Sequence, residues 1–408
     1  MGTVLCWNEN SLVEYNLQQK KSRKQQNMMD LTEFSDIAPF TDEEADAALT
    51  RLSNHPNTKW VSKFIFPDKP ETFLGEVLRN IHTVDQFQSV VMAKAIQWVI
   101  DTSMTDFSYD GLENLQALDG KYVAMSNHRD IILDPALVQI ILQQNHLPET
   151  QICVGDNLLK FKSVELLIRS NRMIKVIRGI SARELYLSSQ LLSRYIRETV
   201  TSGTSSVWIA QRQGRTKDGL DTTEQGLLKM LDMSGTKGFV ENFKELNILP
   251  MSISYEYEPC DVMKARELLI SRSQKYVKGE TEDLESIMTG IRQPKGHVHL
   301  TIGKPLTEEE IHEASLCDKN DRYQQIRHLV DRRVIEGYML WKTNYMAYDL
   351  VYATDKYAAE YTPEDLEAFK SYVAKQFLRV EPNLNRMDLA DIFLHIYSNP
   401  VLAKEQLD

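Results

Sequence analysis

The chain has 408 residues, enough for one large catalytic domain with additions or for two domains. Its formal net charge of −11 argues against general nucleic-acid binding. No run of about 18 apolar residues is present, so a spanning helix is not expected and any membrane contact would be peripheral. Cys6, Cys153, Cys260 and Cys317 are scattered with no CxxC pair, which disfavours a metal cage or a disulfide framework and fits a reducing compartment.

In chain order, residues 1–28 read as a disordered tail, polar and Gln-rich, with the basic cluster Lys20-Lys21-Ser22-Arg23-Lys24; translation starting at Met28 or Met29 would remove it. Residues 29–110 read as a helical region. It is entered through a capping box, Thr41 with Glu44 three residues on, and continues with Val77, Ile81 and Val84 at helical spacing. The rhythm then changes. β-rich runs are predicted at Lys121–Met125, Gln151–Gly155, Met173–Ile177, Ser205–Ala210, Ile248–Tyr257 and His297–Ile302. Helices are predicted between most of them, at Pro135–Gln144, Leu158–Ser170, Ala182–Val200 and, in two pieces, Thr223–Leu246. This alternation predicts an α/β fold with a largely parallel sheet flanked by helices, in which ligands sit beyond the carboxyl ends of the strands. Residues 311–408 read as a C-terminal helical extension through Tyr323–Met346, Pro363–Phe377 and Met387–Tyr397. Its aromatic stretch Trp341, Tyr345, Tyr348 and Tyr352 reads as helix packing.

Charge is unevenly spread. Between Gly155 and Lys217 twelve Lys and Arg face four acids, Asp156, Glu165, Glu184 and Glu198. A basic middle in an acidic chain fits an anionic ligand or surface, or a set of solvated helix faces.

The segment Ser126-Asn127-His128-Arg129-Asp130-Ile131-Ile132-Leu133-Asp134-Pro135 follows a predicted strand and precedes a predicted helix. A neutral imidazole can take a proton from a hydroxyl, and a nearby carboxylate can fix its tautomer. As a purely structural element, Asp134 would cap the helix ahead of Pro135. The His-Arg-Asp tripeptide does not read as a kinase loop, because Pro135 stands where that loop needs Asn.

Together with later segments, these residues resemble the glycerolipid acyltransferase family, in particular its bacterial glycerol-3-phosphate and 1-acyl-glycerol-3-phosphate members. Asn127-His128 with the following Asp is similar to the first family block. Gly155-Asp156-Asn157-Leu158 with Lys175-Val176-Ile177-Arg178-Gly179 is similar to the second. Trp208 to Lys217, containing Gln211-Arg212-Gln213-Gly214-Arg215, is similar to the third, and Ile248-Leu249-Pro250 to Glu256 to the fourth. A closing strand near Gly296–Leu306 completes a resemblance over about residues 115–310. The sequence departs from the family twice. Leu133 stands where the family spacing puts its aspartate, leaving Asp134 or Asp130 for the role. Gln213 stands where the family has glutamate, with Arg215 displaced by one position.

The resemblance implies an acyltransferase domain over 111–310 that moves a fatty-acyl group from acyl-CoA or acyl carrier protein to a phosphate-bearing glycerolipid hydroxyl. It implies His128 as base with Asp134 or Asp130 behind it, and no cofactor and no metal. Asn127, Arg129, Gly155, Asn157, Arg178, Gln213, Gly214, Arg215 and Pro250 are implied to contact the substrate, with arginine suited to a phosphate. No Gly-x-Ser-x-Gly elbow is present, so direct transfer is expected. A cytoplasmic, peripheral position on the inner face of the membrane follows from such substrates. Another lipid acceptor on the same scaffold, or a silent lipid-binding relative, stays open.

Overall fold

The computed structural model describes residues 33–159, 161–178 and 181–407. The tail expected over residues 1–28, the alternative starts at Met28 and Met29, and Lys160 and Gly179 lie outside them. Residues 1–36 group apart from residues 37–408, and among them only a turn from residue 33 is described; the elements below all belong to residues 37–408.

The capping box operates as the sequence predicts. Thr41 Oγ1 accepts the Glu44 N–H at 3.3 Å and the Glu44 carboxylate accepts the Thr41 N–H at 2.9 Å, which starts α1 (Asp42–Ser53). Helices α2 (Pro56–Ile65), α3 (Phe73–Arg79), α4 (Val84–Phe87) and α5 (Ala93–Ser103) follow. Leu49 and Leu52 of α1 pack with Leu74 and Leu78 of α3 and with Phe87 in an apolar cluster of their own.

A seven-stranded sheet has the order β1-β7-β6-β2-β5-β3-β4. Its strands are β1 (Met104–Asp110), β2 (Val123–Ser126), β3 (Gln151–Gly155), β4 (Met173–Val176), β5 (Val207–Ala210), β6 (Ile248–Tyr255) and β7 (Gly296–Ile302). Strands β6, β2, β5, β3 and β4 are mutually parallel; β1 and β7 pair parallel with each other and run against β6. The predicted α/β class therefore holds, with a mixed rather than wholly parallel sheet. Strand β6 is buried at every residue, as a strand covered on both faces must be.

Strand β1 was not expected. Its sequence, Met-Thr-Asp-Phe-Ser-Tyr-Asp, has no fully buried residue, because it lies at the sheet edge and its register against β7, not an apolar run, defines it. The sheet thus begins ahead of residue 111, where the sequence reading started the domain.

Helix α6 (Leu112–Gln116) precedes β2, and α7 (Leu133–Gln144) crosses to β3. Leu133, Leu137 and Ile141 of α7 join Ile152, Trp208, Leu249 and Leu300 in the main core. The helix expected at 158–170 is a short 3-10 turn, Asp156–Leu158, followed by α8 (Lys162–Arg169). Helices α9 (Ala182–Thr201), α10 (Gln225–Asp232) and α11 (Phe239–Lys244) fall where predicted. Helices α12 (Asp261–Ser271) and α13 (Glu282–Arg292) occupy a stretch left without elements in the sequence reading.

After α14 (Glu308–Ser315), the helix expected over Tyr323–Met346 divides into α15 (Asp321–Gly337) and α16 (Lys342–Tyr352). Tertiary bonds cause the break: Met339 N–H donates to Ser254 Oγ at 2.8 Å and Thr343 Oγ1 to the Glu256 carbonyl at 2.6 Å. Helix α17 (Pro363–Phe377) matches its prediction. Helix α18 (Arg386–Glu405) continues through Pro400, held by buried Ile396, Tyr397 and Val401 on either side. The expected packing role of the aromatic stretch is visible in ring contacts such as Tyr345 with Tyr357 at 4.8 Å. No helix among the described residues is long and apolar enough to cross a membrane.

Candidate active site

The loops that leave the carboxyl ends of β2, β3, β4, β5 and β6 share one edge of the sheet, where parallel strands place their ligand sites. His128 lies two residues beyond β2. Its Nδ1 is 2.9 Å from Asp134 Oδ2, and its side chain is 15% exposed while that of Asp134 is fully buried. The same Asp134 oxygen accepts the N–H groups of Arg129 at 2.6 Å and Asp130 at 2.9 Å, and its Oδ1 accepts the Tyr255 hydroxyl at 2.8 Å. These three partners are donors, so Asp134 is an acceptor throughout and Nδ1 carries the imidazole proton. That leaves Nε2 as the basic ring nitrogen. Trp208 of β5 meets the ring edge-on, with centroids 6.1 Å apart. An imidazole held in this way can take a proton from a hydroxyl through Nε2.

Asp130, the alternative partner, turns away from His128. Its Oδ1 accepts the N–H groups of Ile132 at 2.9 Å and Leu133 at 2.8 Å, so it starts α7. Its Oδ2 faces Gly290 of α13, where a Cβ would lie 2.2 Å away. Asp134 lies inside the first turn rather than at the cap, which is Ile132, and Asp130 ties down the chain that enters the helix.

Three residues expected to contact substrate serve the scaffold instead. Asn127 is fully buried; its amide donates to Asp221 and to the Ile253 carbonyl, both at 3.0 Å, and accepts the Ile253 N–H at 2.8 Å. Arg129 is also fully buried and pairs with Asp221 at 2.6 Å and Glu258 at 3.2 Å, with its guanidinium 5.1 Å from the Tyr338 ring centre. Burial opposes the Arg129 charge, but Asp221 and Glu258 outweigh it and hold the group well above its ordinary value. Pro250 lies inside β6 opposite Met125 rather than at a strand end, three residues short of the level of His128, or about 10 Å. None of the three is open to a ligand.

Around Arg129 the loops are tied together by charge. Lys264 of α12 donates to Glu258 at 2.6 Å and to the Arg129 carbonyl at 2.7 Å, and Thr216 donates its hydroxyl to Asp221 at 2.8 Å. The Thr216 N–H meets the His128 carbonyl at 2.7 Å. Two bases and two acids thus join the loops after β2, β5 and β6. Gly219, at φ +83°, completes the joint, since a Cβ there would lie 2.3 Å from the Ile396 carbonyl of α18. Asp221, Tyr255, Glu258 and Lys264 were not singled out by sequence. The only signal was a set of acids close to a strand end, which solvated loops share.

The other side of the rim is built differently. Gly155 ends β3, and a Cβ on it would lie 2.8 Å from Arg178 Cζ and 2.5 Å from Asn157 Oδ1, so only glycine lets that guanidinium settle over the strand end. The Arg178 N–H donates to Asp156 at 3.2 Å. Among the described residues no carboxylate stands within ion-pair distance of its side chain, and burial lowers the guanidinium below its ordinary value despite Asp156 and Glu224. Asn157 donates to Asp283 at 3.1 Å. Burial would raise the Asp283 carboxyl, but hydrogen bonds from Lys278 and Asn157 and the charges of Lys278 and Arg215 hold it below the usual range. Arg178 and Arg215 are thereby both within electrostatic reach of Asp283. Arg215 Nη1 and Asn157 Oδ1 are buried and make no hydrogen bond among the described residues. Gln213 is exposed, and Gly214 turns the loop at φ +76°.

A small apolar cavity of about 50 Å³ lies against α7, lined by Ile132, Pro135, Ala136 and Ile140 with Met92 and Met173. Its lining residues on α7 fall between Pro135 and Gln143. The first turn of that helix is the one that carries Asp134. The Cys153 thiol, on β3, is pushed up to about 12 by burial, against the opposing charge of Arg178, which makes it a poor nucleophile.

A histidine–carboxylate pair stands on a rim that also bears two arginines, at the carboxyl edge of a mostly parallel sheet. Residues 106–255 match the model of the Acyltransferase family, spanning β1 through β6. The chain carries a domain of the glycerolipid acyltransferase family, and at that level it is an O-acyltransferase acting on a lipid acceptor. No curated protein matches the chain.

Proposed function

We propose that the protein transfers a fatty-acyl group from acyl-CoA or acyl carrier protein to a hydroxyl of glycerol-3-phosphate or 1-acyl-glycerol-3-phosphate, in phospholipid synthesis at the inner face of the cell membrane. The observation that carries this reading is the Asp134–His128 pair on the same strand-end rim as Arg178 and Arg215. His128 Nε2 removes the proton from the acceptor hydroxyl as its oxygen attacks the thioester carbonyl. Asp134 holds the ring and stabilises the imidazolium that forms. On collapse of the tetrahedral intermediate the thiolate leaves and takes up the proton. Arg178 and Arg215 hold the phosphate monoester. The buried unpartnered Nη1 of Arg215 and the unpaired charge of Arg178 support that role.

Thiol release from palmitoyl-CoA tests the proposal, with glycerol-3-phosphate, lysophosphatidate or no acceptor, and His128→Ala alongside. Acceptor-dependent release is expected, falling by about 10²–10⁴-fold in the variant. Release that ignores the acceptor would show a thioester hydrolase instead. Turnover only with a lysophospholipid lacking a phosphate monoester, unaffected by Arg178→Ala, would move the acceptor to another lipid class.

A further inference from the structure

Helix α9 spans twenty residues, about 30 Å, yet its first buried residue is Leu192. Every residue from Ser181 to Leu187 is exposed. Within that free end stand three consecutive large apolar side chains, Leu185, Tyr186 and Leu187, at 47%, 55% and 53% exposure. Successive residues lie about 100° apart on a helix, so these three spread around most of the cylinder and no single neighbouring element can bury them. The free end is nevertheless a formed helix. Ser181 N–H donates to Glu184 Oε2 at 3.0 Å and the Glu184 N–H to Ser181 Oγ at 3.4 Å, a capping box that needs no tertiary support.

A second apolar group leaves the same edge of the sheet. Strands β3 and β4 are adjacent and parallel, so the loop into α8 and the loop into α9 both start at the active-site rim. Phe161, in the first of these loops, is 68% exposed. Helix α8 behind it has no fully buried residue, and its Leu167 is also exposed. The charge of this region is opposite to that of the chain. Residues 161–187 hold six basic side chains against Glu165 and Glu184; Arg169 and Arg172 stand ahead of β4, at the opposite end of that strand, and are engaged with the Ala38 carbonyl and Asp85, while Lys162, Lys175, Arg178 and Arg183 stand toward the rim.

We propose that the exposed start of α9, together with Phe161, is the surface by which the protein docks on an anionic lipid bilayer. Apolar side chains on a short helix end enter the headgroup–acyl boundary, and the cationic fringe draws the protein to anionic headgroups. Docked this way, the protein turns the strand-end rim with His128 and Arg178 toward the membrane, so an amphiphilic acceptor reaches the site without leaving the bilayer. The proposal rests on the lipid-acceptor reading above for its purpose, but the surface is tested without turnover.

The experiment is co-sedimentation of the full chain with vesicles of phosphatidylcholine alone and of phosphatidylcholine with phosphatidylglycerol. Wild type is compared with the triple variant Leu185→Ser, Tyr186→Ser, Leu187→Ser and with Arg183→Gln. Wild type is expected to pellet with the anionic vesicles and to release as salt rises. The triple variant is expected to bind at least about tenfold more weakly, and Arg183→Gln to lose part of the salt dependence. Both variants should keep the melting temperature and the rate of transfer from octanoyl-CoA to glycerol-3-phosphate, two soluble substrates. Equal vesicle binding by wild type and triple variant overturns the proposal, and so does failure of wild type to bind either vesicle. A concentration-dependent dimer abolished by the triple variant, with no vesicle binding, would make the patch a face between copies of the chain. If vesicle binding behaves as expected while no acyl transfer occurs, the docking surface stands and the proposed reaction falls.

Discussion

Around Arg129 each charge meets an opposite one out of water, with Asp221 and Glu258 on the guanidinium and Lys264 on Glu258. Around Arg178, on the same rim, the guanidinium is half-buried beside neutral Gly155 and Asn157, with no carboxylate in ion-pair contact among the described residues. Both arginines follow strand ends, and sequence reading gave them the same task. The difference lies in what the chain brings to them. The loops after β5 and β6 carry matching acids to Arg129, so its charge holds three loops in place, whereas no carboxylate among the described residues pairs with Arg178. One half of the rim fixes the loop of His128; in the proposed function the other half receives the acceptor.

The comparison is broken most directly at Arg129. Arg129→Ala leaves Asp221 and Glu258 buried with less than their complement of charge, and a loss of about 3–5 kcal/mol in folding stability is expected. Urea melts followed by circular dichroism check this. A loss below about 1 kcal/mol would mean that the buried network does not hold the loops. Arg178→Ala is expected to do the reverse. Stability should change by no more than about 0.5 kcal/mol, while the KM for the acceptor rises by about 10–100-fold, because charged hydrogen bonds to phosphate contribute about 1.5–3 kcal/mol. Arg178→Lys should recover only part of the affinity, since a single ammonium cannot reproduce a bidentate contact. Steady-state kinetics with glycerol-3-phosphate decide it, and an unchanged KM would remove Arg178 from acceptor recognition.

The locked half extends into the C-terminal helices. Tyr397 of α18 donates its hydroxyl to Asp261 at 2.7 Å and accepts the Glu258 N–H at 3.0 Å, while Tyr372 of α17 donates to the same Asp261 oxygen at 2.6 Å. Asn399 donates to the Asp218 carbonyl at 2.8 Å. The C-terminal extension therefore braces the loop that presents Glu258 to Arg129. Tyr397→Phe removes one donor and one acceptor from buried partners, at a cost of about 1–3 kcal/mol. If the bracing reaches His128, kcat should fall several-fold with acceptor KM unchanged. A loss of stability with kcat intact would confine Tyr397 to holding the helix.

Much of this fold could be read ahead of the structure, and the reasons are local. The central strands are apolar runs, and α1 and α17 announce their starts with Thr41-x-x-Glu44 and Thr362-Pro363. Strand β1 and the break at Tyr338 could not be read this way, since each is decided by a partner nearly 200 or about 85 residues away, β7 in one case and Ser254 in the other. The site divides along the same line. His128 and its carboxylates sit within seven residues of chain, so the pairing was already confined to Asp134 and Asp130, and a helix start settled the geometry. Arg129 was misread because its partners Asp221 and Glu258 are 92 and 129 residues away, and sequence spacing carries no trace of them.

The smallest effect concerns Glu149, one of the residues that line the α7 cavity. Burial raises its carboxyl to about 7, against the pull of Arg172. Its value in the unfolded chain is near 4.5, so between about pH 4.5 and 7 the folded state holds more proton than the unfolded state. Stability from this group is then greatest below that window and falls as pH rises through it. Glu149→Gln keeps the shape and removes the titration. Its melting temperature should equal that of wild type near pH 4.5 and exceed it at pH 8 by about 1–2 °C, a modest gain because the carboxyl retains some contact with water. A melting temperature that follows pH equally in both proteins would remove Glu149 as the source of that dependence and assign it to another buried group.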